Sequence, residues 1–264
     1  MKNLRKVLSF VLVLAMVLGC VSMAFATVYP DQAKITNTEA VGVLSAVKVL
    51  EGDDKGFRPT DTLTRAEACA VVARLMLGTK AAKKLTATVA PFKDVAADNW
   101  AAGYIAYCAS EGIVAGVGNN KFNPTGTLKV GEFGKMLLCV LGYDAATEGL
   151  TGSDWANNTA KLMARAGITV AQGNGADCAR EVAAQLAFNA LQADTVYYDN
   201  NGGSITVGGT KIEFGKGSAK KNVTTSTSGF KATNNDNVLQ LCEIQHPALG
   251  IAAVKALLCI FLYA

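Results

Sequence analysis

Three stretches of the chain place apolar residues at the spacing of an amphipathic helix. In the first, these positions are Ala68, Val71, Val72, Leu75 and Met76. In the second, they are Phe133, Met136, Leu137, Val140 and Leu141. In the third, they are Ala183, Leu186, Ala187, Ala190 and Leu191. Because residues three and four apart share one face of an α-helix, each stretch predicts a helix with a single buried stripe.

The segments before the first two stripes are copies of one another. Residues 57–67 and 122–132 share Phe, Pro, Thr, Thr, Leu and Glu at an offset of 65 residues. A repeat of this length indicates successive copies of one supersecondary unit. In the first copy, Thr64 and Glu67 have the spacing of a capping box, so Thr64 is the predicted N-cap. We expect the helices that carry the stripes to begin near Thr62 and Thr127.

A second set of helices is predicted upstream of each loop. Residues 99–110 carry Trp100, Tyr104, Ile105 and Cys108 at helical spacing, and Gly112 supplies a left-handed cap. Residues 155–166 and 180–191 give a fainter third copy, whose first helix ends at Gly167 as that of the second copy ends at Gly112. This copy lacks the Phe-x-Pro segment. Each unit is therefore predicted to consist of a helix, a tight loop and a second helix.

These patterns predict a mainly α fold with three helix-loop-helix units around a shared helical core. The predicted boundaries are 27–88, 89–145 and 146–193, the last being degenerate. A small β-hairpin element follows at 194–214, where short runs at 196–198, 205–207 and 211–214 alternate with Asn/Gly and Gly-Gly turns. Residues 215–264 are a loose polar segment and an apolar tail, which we interpret as a truncated or frameshifted end.

The first 26 residues have the features of a signal peptide. A cationic start precedes an apolar run, and Ala24-Phe25-Ala26 supplies a cleavage site before Thr27. A lipobox at Cys20 is the alternative. Without this segment the chain has 22 basic and 21 acidic residues, so the mature chain is nearly neutral. Its sequence shows no cluster of Lys and Arg of the kind that indicates nucleic-acid binding. We expect an exported protein.

The cysteines show no metal-binding or redox spacing. None of the six beyond residue 26 lies in a CxxC pair. We predict no disulfide among Cys69, Cys108, Cys139 and Cys178, which we place in helix interiors as small buried side chains. The single histidine, His246, leaves no basis for a His-based triad. The prediction is for no enzyme activity, no cofactor and no metal.

The combined pattern resembles the S-layer homology (SLH) repeat. The resemblance rests on Phe92-Lys93-Asp94-Val95, Trp100-Ala101, Tyr104-Ile105, Gly112-Ile113, Gly116, Phe122-x-Pro124 and the run Leu63-Thr64-Arg65-Ala66-Glu67. It covers residues 28–193 and implies three divergent SLH repeats that fold together, with one helix from each in a central bundle. It also implies non-covalent binding to secondary polysaccharide linked to peptidoglycan, often bearing pyruvate ketals, with the protein at the cell wall or in an S-layer.

The resemblance and side-chain chemistry together give a set of candidate glycan-binding residues. An arginine binds a ketal carboxylate through two parallel hydrogen bonds, and a tryptophan stacks on a sugar ring. The candidates are Arg65, Glu67, Asp94, Trp100, Trp155 and Arg180. Val130 replaces the arginine in the second copy, and Val182 replaces the glutamate in the third, so we expect one or two working grooves.

Cell-wall anchoring is the predicted function, and two other classes stay open at this point. One is a helical interaction module of the same fold without glycan binding, and the other is a wall-acting hydrolase. For Arg65 the plain alternative is an ion pair with Glu67 or a neighbour, and for each tryptophan it is core packing. We expect Arg65 to contribute most to wall binding in the first two repeats, and Arg65→Ala to leave the stability almost unchanged.

Overall fold

The structure, a computed structural model, describes residues 29–199, 202–207, 210–221 and 240–245. The predicted signal peptide, residues 1–26, lies outside these ranges, as do the lipobox at Cys20 and the apolar tail from residue 247. Of the predicted polar segment, residues 215–221 are described.

The described residues form a mainly helical fold, as predicted, with two small antiparallel sheets. After a short 3-10 turn at Gln32–Lys34, the helices are α1 Thr38–Ala46, α2 Arg65–Leu77, α3 Thr79–Ala82, α4 Ala102–Ser110, α5 Val130–Val140, α6 Trp155–Ala166, α7 Arg180–Gln192 and α8 Leu241–Gln245. The strands are β1 Val196–Tyr198, β2 Gly203–Val207, β3 Thr210–Phe214 and β4 Ala219–Lys221. Within the described residues, no helix is long and apolar enough to cross a membrane.

Helices α2 and α5 begin three residues later than predicted. Thr64 is the N-cap of α2, and its capping box with Glu67 is present as predicted. The starts near Thr62 and Thr127 are wrong because these segments pair in extended conformation instead, with bridges that join Thr64 to Thr127 and Thr62 to Ala179. The left-handed glycines predicted after the first helices are present, Gly112 with φ 69° and Gly167 with φ 75°.

A closed ring of three backbone hydrogen bonds joins the segments before α2, α5 and α7. The N–H of Leu63 donates to Cys178, that of Cys178 to Leu128, and that of Leu128 to Leu63, at 2.8, 2.9 and 3.1 Å. The first residue of each following helix also donates to a loop carbonyl of another segment. The three segments therefore make equivalent hydrogen bonds to one another.

The helices pack in pairs that cross the predicted unit boundaries. Helix α4 packs against α2, α6 against α5, and α1 against α7. Each pair thus joins the first helix of one predicted unit to the second helix of another, and α5 contacts both α2 and α7. All three predicted stripes are buried, except that Met76 is only partly covered.

The C-terminal element is larger than predicted and paired differently. Strands β2 and β3 form the expected antiparallel hairpin, with Gly203 opposite Phe214. Strand β1 does not join it, because it pairs with β4, with Val196 opposite Lys221. Residues 219–221, predicted to be loose, are therefore part of a sheet. Helix α8 was not predicted, and its Leu241 and Cys242 are buried against the helical core.

The five described cysteines are free thiols. Cys69, Cys108 and Cys139 lie in helices, but Cys178 lies in the extended segment before α7, so its predicted placement in a helix interior was wrong. Burial raises the pKa of Cys139 to about 11 and that of Cys178 to about 12. Thiols with pKa values this high stay protonated and unreactive at neutral pH.

Candidate functional site

Two aspartates hold the loops that precede α2 and α5. The carboxylate of Asp94 accepts the backbone N–H groups of Phe122 and Asn123 at 2.8 and 2.7 Å, and Asp31 accepts those of Phe57 and Arg58 in the same way. Burial alone would raise the pKa of both carboxyl groups, but these hydrogen bonds outweigh it and lower the pKa below the usual value. Asp94 therefore fixes a loop, and it does not line either groove described below.

Arg65 and Arg180 occupy equivalent positions and make equivalent contacts. Arg65 donates from Nε to the carbonyl of Phe122 and from Nη2 to that of Ala115, both at 2.8 Å. Arg180 donates from Nε to the carbonyl of Phe57 at 2.9 Å and from Nη2 to that of Glu51 at 2.8 Å. Each guanidinium also lies over the ring of the phenylalanine that it contacts. Both arginines thus join one unit to the loop of another.

Glu67 pairs with Arg180 and not with Arg65. Its Oε1 lies 2.9 Å from Nη1 of Arg180, and its Oε2 accepts the N–H and hydroxyl of Thr64. Burial lowers the pKa of the Arg180 guanidinium and the Glu67 charge opposes this, so Arg180 stays charged. The alternative of an Arg65–Glu67 ion pair is therefore wrong. The expectation that Arg65→Ala leaves stability unchanged conflicts with the two loop contacts.

The Trp100 groove lies beside the Glu67–Arg180 pair. It consists of two adjoining cavities of about 320 and 170 Å³ that share Arg58, Glu67, Trp100 and Arg180. Trp100 is 60% exposed, so its predicted alternative as a core residue is wrong. Arg180 is only 3% exposed, whereas the side chain of Arg58 is 35% exposed and pairs at 3.3 and 3.5 Å with Asp53 and Asp61.

The Trp155 groove lies at the equivalent junction. It is a cavity of about 370 Å³ lined by Arg65, Ala115, Glu132, Lys135, Met136 and Trp155, among others. Trp155 is half-buried, and Nζ of Lys135 lies 5.9 Å from the centre of its ring. Two of the five N–H groups of Arg65 have partners among the described residues, and Nη1 has none there.

The third junction carries neither an arginine nor a tryptophan. Val130 is buried at the arginine position, and its N–H donates to the carbonyl of Ala176. The carboxylate of Glu181 there accepts the N–H and hydroxyl of Thr36 and the N–H of Asn37. Among the described residues, this junction is joined by hydrogen bonds, and neither Trp100, Trp155, Arg65 nor Arg180 lies at it.

The structure divides the predicted site residues between two grooves. Trp100, Glu67 and Arg180 lie in one, Trp155 and Arg65 in the other, and Asp94 in neither. The sequence reasoning missed Arg58, Arg74 and Lys135. Lys135 had a signal, since it is the only basic residue in a mostly apolar helix. Among the described residues no group of three or more His, Cys, Asp or Glu side chains is arranged to hold a metal ion.

Comparison with a family model identifies two segments of this chain. Residues 28–69 and 91–133 match the S-layer homology domain. These segments contain the two aspartate-held loops and the starts of α2 and α5. The predicted resemblance to S-layer homology domain proteins is thereby confirmed for these two segments.

Three of the relatives found among curated proteins are named as surface or cell-wall proteins. The chain is 25% identical over 97% of its length to the surface layer protein of Brevibacillus choshinensis, and 27% identical over 96% to the middle cell wall protein of Brevibacillus brevis. It is 31% identical over 54% of its length to a cell surface protein of Thermoanaerobacter kivui. The chain covers 23%, 24% and 19% of these relatives, so it corresponds to about a quarter of their length or less.

Proposed function

We propose that this chain anchors its polypeptide to the cell wall by binding secondary cell-wall polysaccharide in the Trp100 and Trp155 grooves. The chain is a secreted protein of the cell wall or cell surface, and SLH domains in general bind cell-wall polysaccharide. The observation that carries the proposal is the recurrence of one arrangement at two junctions, a tryptophan beside an arginine that holds a loop. Aromatic faces and polar groups in a cleft are suited to sugar rings.

The proposal includes a third, degenerate repeat at residues 146–193, after repeats at 27–88 and 89–145. The ring of hydrogen bonds through Leu63, Leu128 and Cys178 supports it, because the third segment there has the same partners as the other two. Helices α6 and α7 also match the helix pair of each earlier unit in order. The role of this repeat is to complete the core and close the third junction.

The proposed ligand is a polysaccharide that bears pyruvate ketals. Such a ketal places a carboxylate on the edge of a sugar ring, where a guanidinium binds it well. Arg65 is the candidate for this contact, because its Nη1 group has no partner among the described residues. Arg180 is buried and its three nitrogens are all engaged, so its role is to position Glu67 and the loop. The role of this chain is structural, without catalysis.

Sedimentation with purified wall sacculi tests the proposal. Trp100→Ala and Trp155→Ala should each weaken binding by about tenfold or more, because a central aromatic contact contributes most of such an interface. Val89→Ala is the matched control, since Val89 is 74% exposed and lines neither groove.

Walls stripped of secondary polymer provide the test that could contradict the proposal. The parent protein should no longer sediment with them. Equal binding to stripped and intact walls would contradict glycan binding and favour a protein interaction module of the same fold. Release of soluble wall fragments by the purified chain would favour a hydrolase.

A further inference from the structure

We infer that Cys69 and Cys108 are a modification site, at which oxidation forms a disulfide that joins α2 of the first unit to α4 of the second. The structure shows both cysteines as free thiols and so describes the reduced form of this pair. The inference reverses, for one pair, the expectation from the sequence that these cysteines stay unlinked. The sequence placed them in separate helices, and only the packing of those helices brings them together.

The two side chains meet where α4 packs against α2. Sγ of Cys108 lies 3.5 Å from the backbone carbonyl oxygen of Cys69, and the two thiols hydrogen-bond to each other. Both residues are fully buried, with exposed fractions of 0%. A disulfide requires cysteine side chains that point toward each other across a short distance, and the α2–α4 contact provides this arrangement.

Among the five described cysteines, this pair is the one in which two thiols are in contact. The Cys69 thiol and burial together raise the pKa of the Cys108 thiol. For Cys139, Cys178 and Cys242, burial is the largest cause of the raised pKa, and no other thiol contributes to it. The described part of the chain therefore favours a single pairing.

The location of the protein favours oxidation. It is secreted to the cell wall or cell surface, away from the cytosolic systems that keep thiols reduced. The oxidant that we propose is a low-molecular-weight disulfide. The thiolate of one cysteine attacks it and releases one thiol, and the second cysteine then displaces the other thiol from the mixed disulfide. The pair loses two protons and two electrons, and the oxidant is reduced to two thiols.

The bond forms while the chain folds, before α4 has packed against α2. In the unfolded chain both thiols are accessible and have an ordinary pKa of about 8.5. In the folded protein the raised pKa of Cys108 and the complete burial of both residues slow the reaction. The same burial protects the finished disulfide from reductants.

The cross-link lies beside the Trp100 groove. Helix α2 contributes Glu67 and Arg74 to the lining of this groove, and Trp100 lies directly before α4. The disulfide thus ties together the two helices that carry this part of the lining. It also closes a loop between positions 69 and 108, which reduces the conformational entropy of the unfolded chain.

Peptide mapping of the refolded chain tests the inference. The denatured, reduced protein is refolded in a mixture of glutathione and glutathione disulfide, alkylated with iodoacetamide and digested with trypsin without reductant. Tryptic peptides 66–74 and 94–121 contain Cys69 and Cys108 as their single cysteines. Mass spectrometry should find these two peptides linked, lighter by two hydrogen atoms than the sum of the reduced peptides. Cys139 and Cys178 should be alkylated.

Thermal unfolding measures the effect of the bond. The oxidised parent should melt about 5–10 °C above the reduced parent, because the closed loop constrains the unfolded chain. Cys108→Ser should abolish this difference, and the control Cys139→Ser should keep it.

Alkylation of both Cys69 and Cys108 after oxidative refolding would overturn the inference, as would a link from either residue to another cysteine. A difference in melting temperature that persists in Cys108→Ser would show that oxidation acts elsewhere in the chain. Equal melting temperatures of the oxidised and reduced parent would overturn the stabilising role of the bond.

Discussion

At the scale of single residues, the arginines predicted to bind glycan are first of all parts of the fold. Arg65 and Arg180 each hold two loop carbonyls of another unit, and Arg180 also neutralises Glu67. Residues of a sequence motif that is typical of a binding site can thus stabilise the fold at the same time. Binding data on Arg65 variants need a stability measurement beside them.

Arg65→Ala should lower the free energy of unfolding by about 2–3 kcal/mol, because two charged hydrogen bonds and the contact with the Phe122 ring are lost. Denaturant unfolding followed by circular dichroism measures the change. Arg165→Ala is the control. Because the side chain of Arg165 is 63% exposed, the loss of its ion pair with Glu148 should lower the free energy of unfolding by about 1 kcal/mol or less. Equal stability of the two variants would show that the Arg65 contacts add nothing.

Asp94 makes the stability of the chain sensitive to acid. Its folded-state pKa is lowered from the usual 3.8, so its contribution is fully present above that value and is lost as the pH falls through the folded-state pKa. Asp31 acts in the same direction. The melting temperature of the parent should therefore fall below about pH 4.

Asp94→Asn isolates this contribution. At pH 7 the variant should have a lower melting temperature than the parent, because one loop N–H loses its charged acceptor. On acidification its melting temperature should fall by less than that of the parent. Asp98→Asn is the control, because Asp98 is exposed and has no hydrogen bond or ion pair within the described part of the chain. Parallel acid curves for the parent and Asp94→Asn would refute the role of this carboxylate.

At the scale of elements, the close approach of one backbone segment to another affects stability as much as helix propensity does. Gly103 lies in α4, and a Cβ atom there would come within 2.5 Å of the backbone carbonyl of Leu85. Alanine normally stabilises a helix interior over glycine by about 1 kcal/mol. At position 103 the contact with the Leu85 backbone reverses this preference for alanine, because backbone atoms cannot move aside as the end of a flexible side chain can.

Gly103→Ala should therefore destabilise the protein by about 1–3 kcal/mol, the range for overpacking, despite its better propensity. Thermal unfolding gives the sign directly. Gly175→Ala is the matched control, because a Cβ at Gly175 meets nothing within 4 Å. If Gly103→Ala is stabilising, α4 does not approach the 85–86 backbone as closely as described.

At the scale of the whole molecule, the segment after the β element completes the core. Leu241 and Cys242 are buried where α8 meets α2 and α7, and Leu241 donates its N–H to the carbonyl of Ala193. The helices, the β1–β4 sheet and α8 thus share one hydrophobic cluster. We expect them to unfold together.

Leu241→Ala should lower the free energy of unfolding by about 2–4 kcal/mol, because it opens a cavity in a filled site. The transitions followed by tryptophan fluorescence and by circular dichroism should stay coincident, since the tryptophans lie in the same cooperative unit. Val117→Ala, at an exposed position, serves as the control. A variant as stable as the parent, or separate transitions, would show that α8 is not part of that unit.

The sequence by itself determined the features that depend on neighbouring residues. The three buried stripes, the Thr64–Glu67 capping box, the left-handed glycines 112 and 167 and the β2–β3 hairpin all follow from spacings of a few residues. Local geometry and periodicity are sufficient for such features. The repeat at an offset of 65 residues likewise carried the family resemblance.

The tertiary structure alone decided which helices pair, which strand joins β1 and what each arginine contacts. Arg180 reaches the carbonyl of Phe57 across 123 positions of the chain, and Lys135 meets Trp155 only because α5 packs against α6. No local pattern records such neighbours, because they follow from the closure of the ring of three segments. The linings of the two grooves are likewise assembled only by that closure.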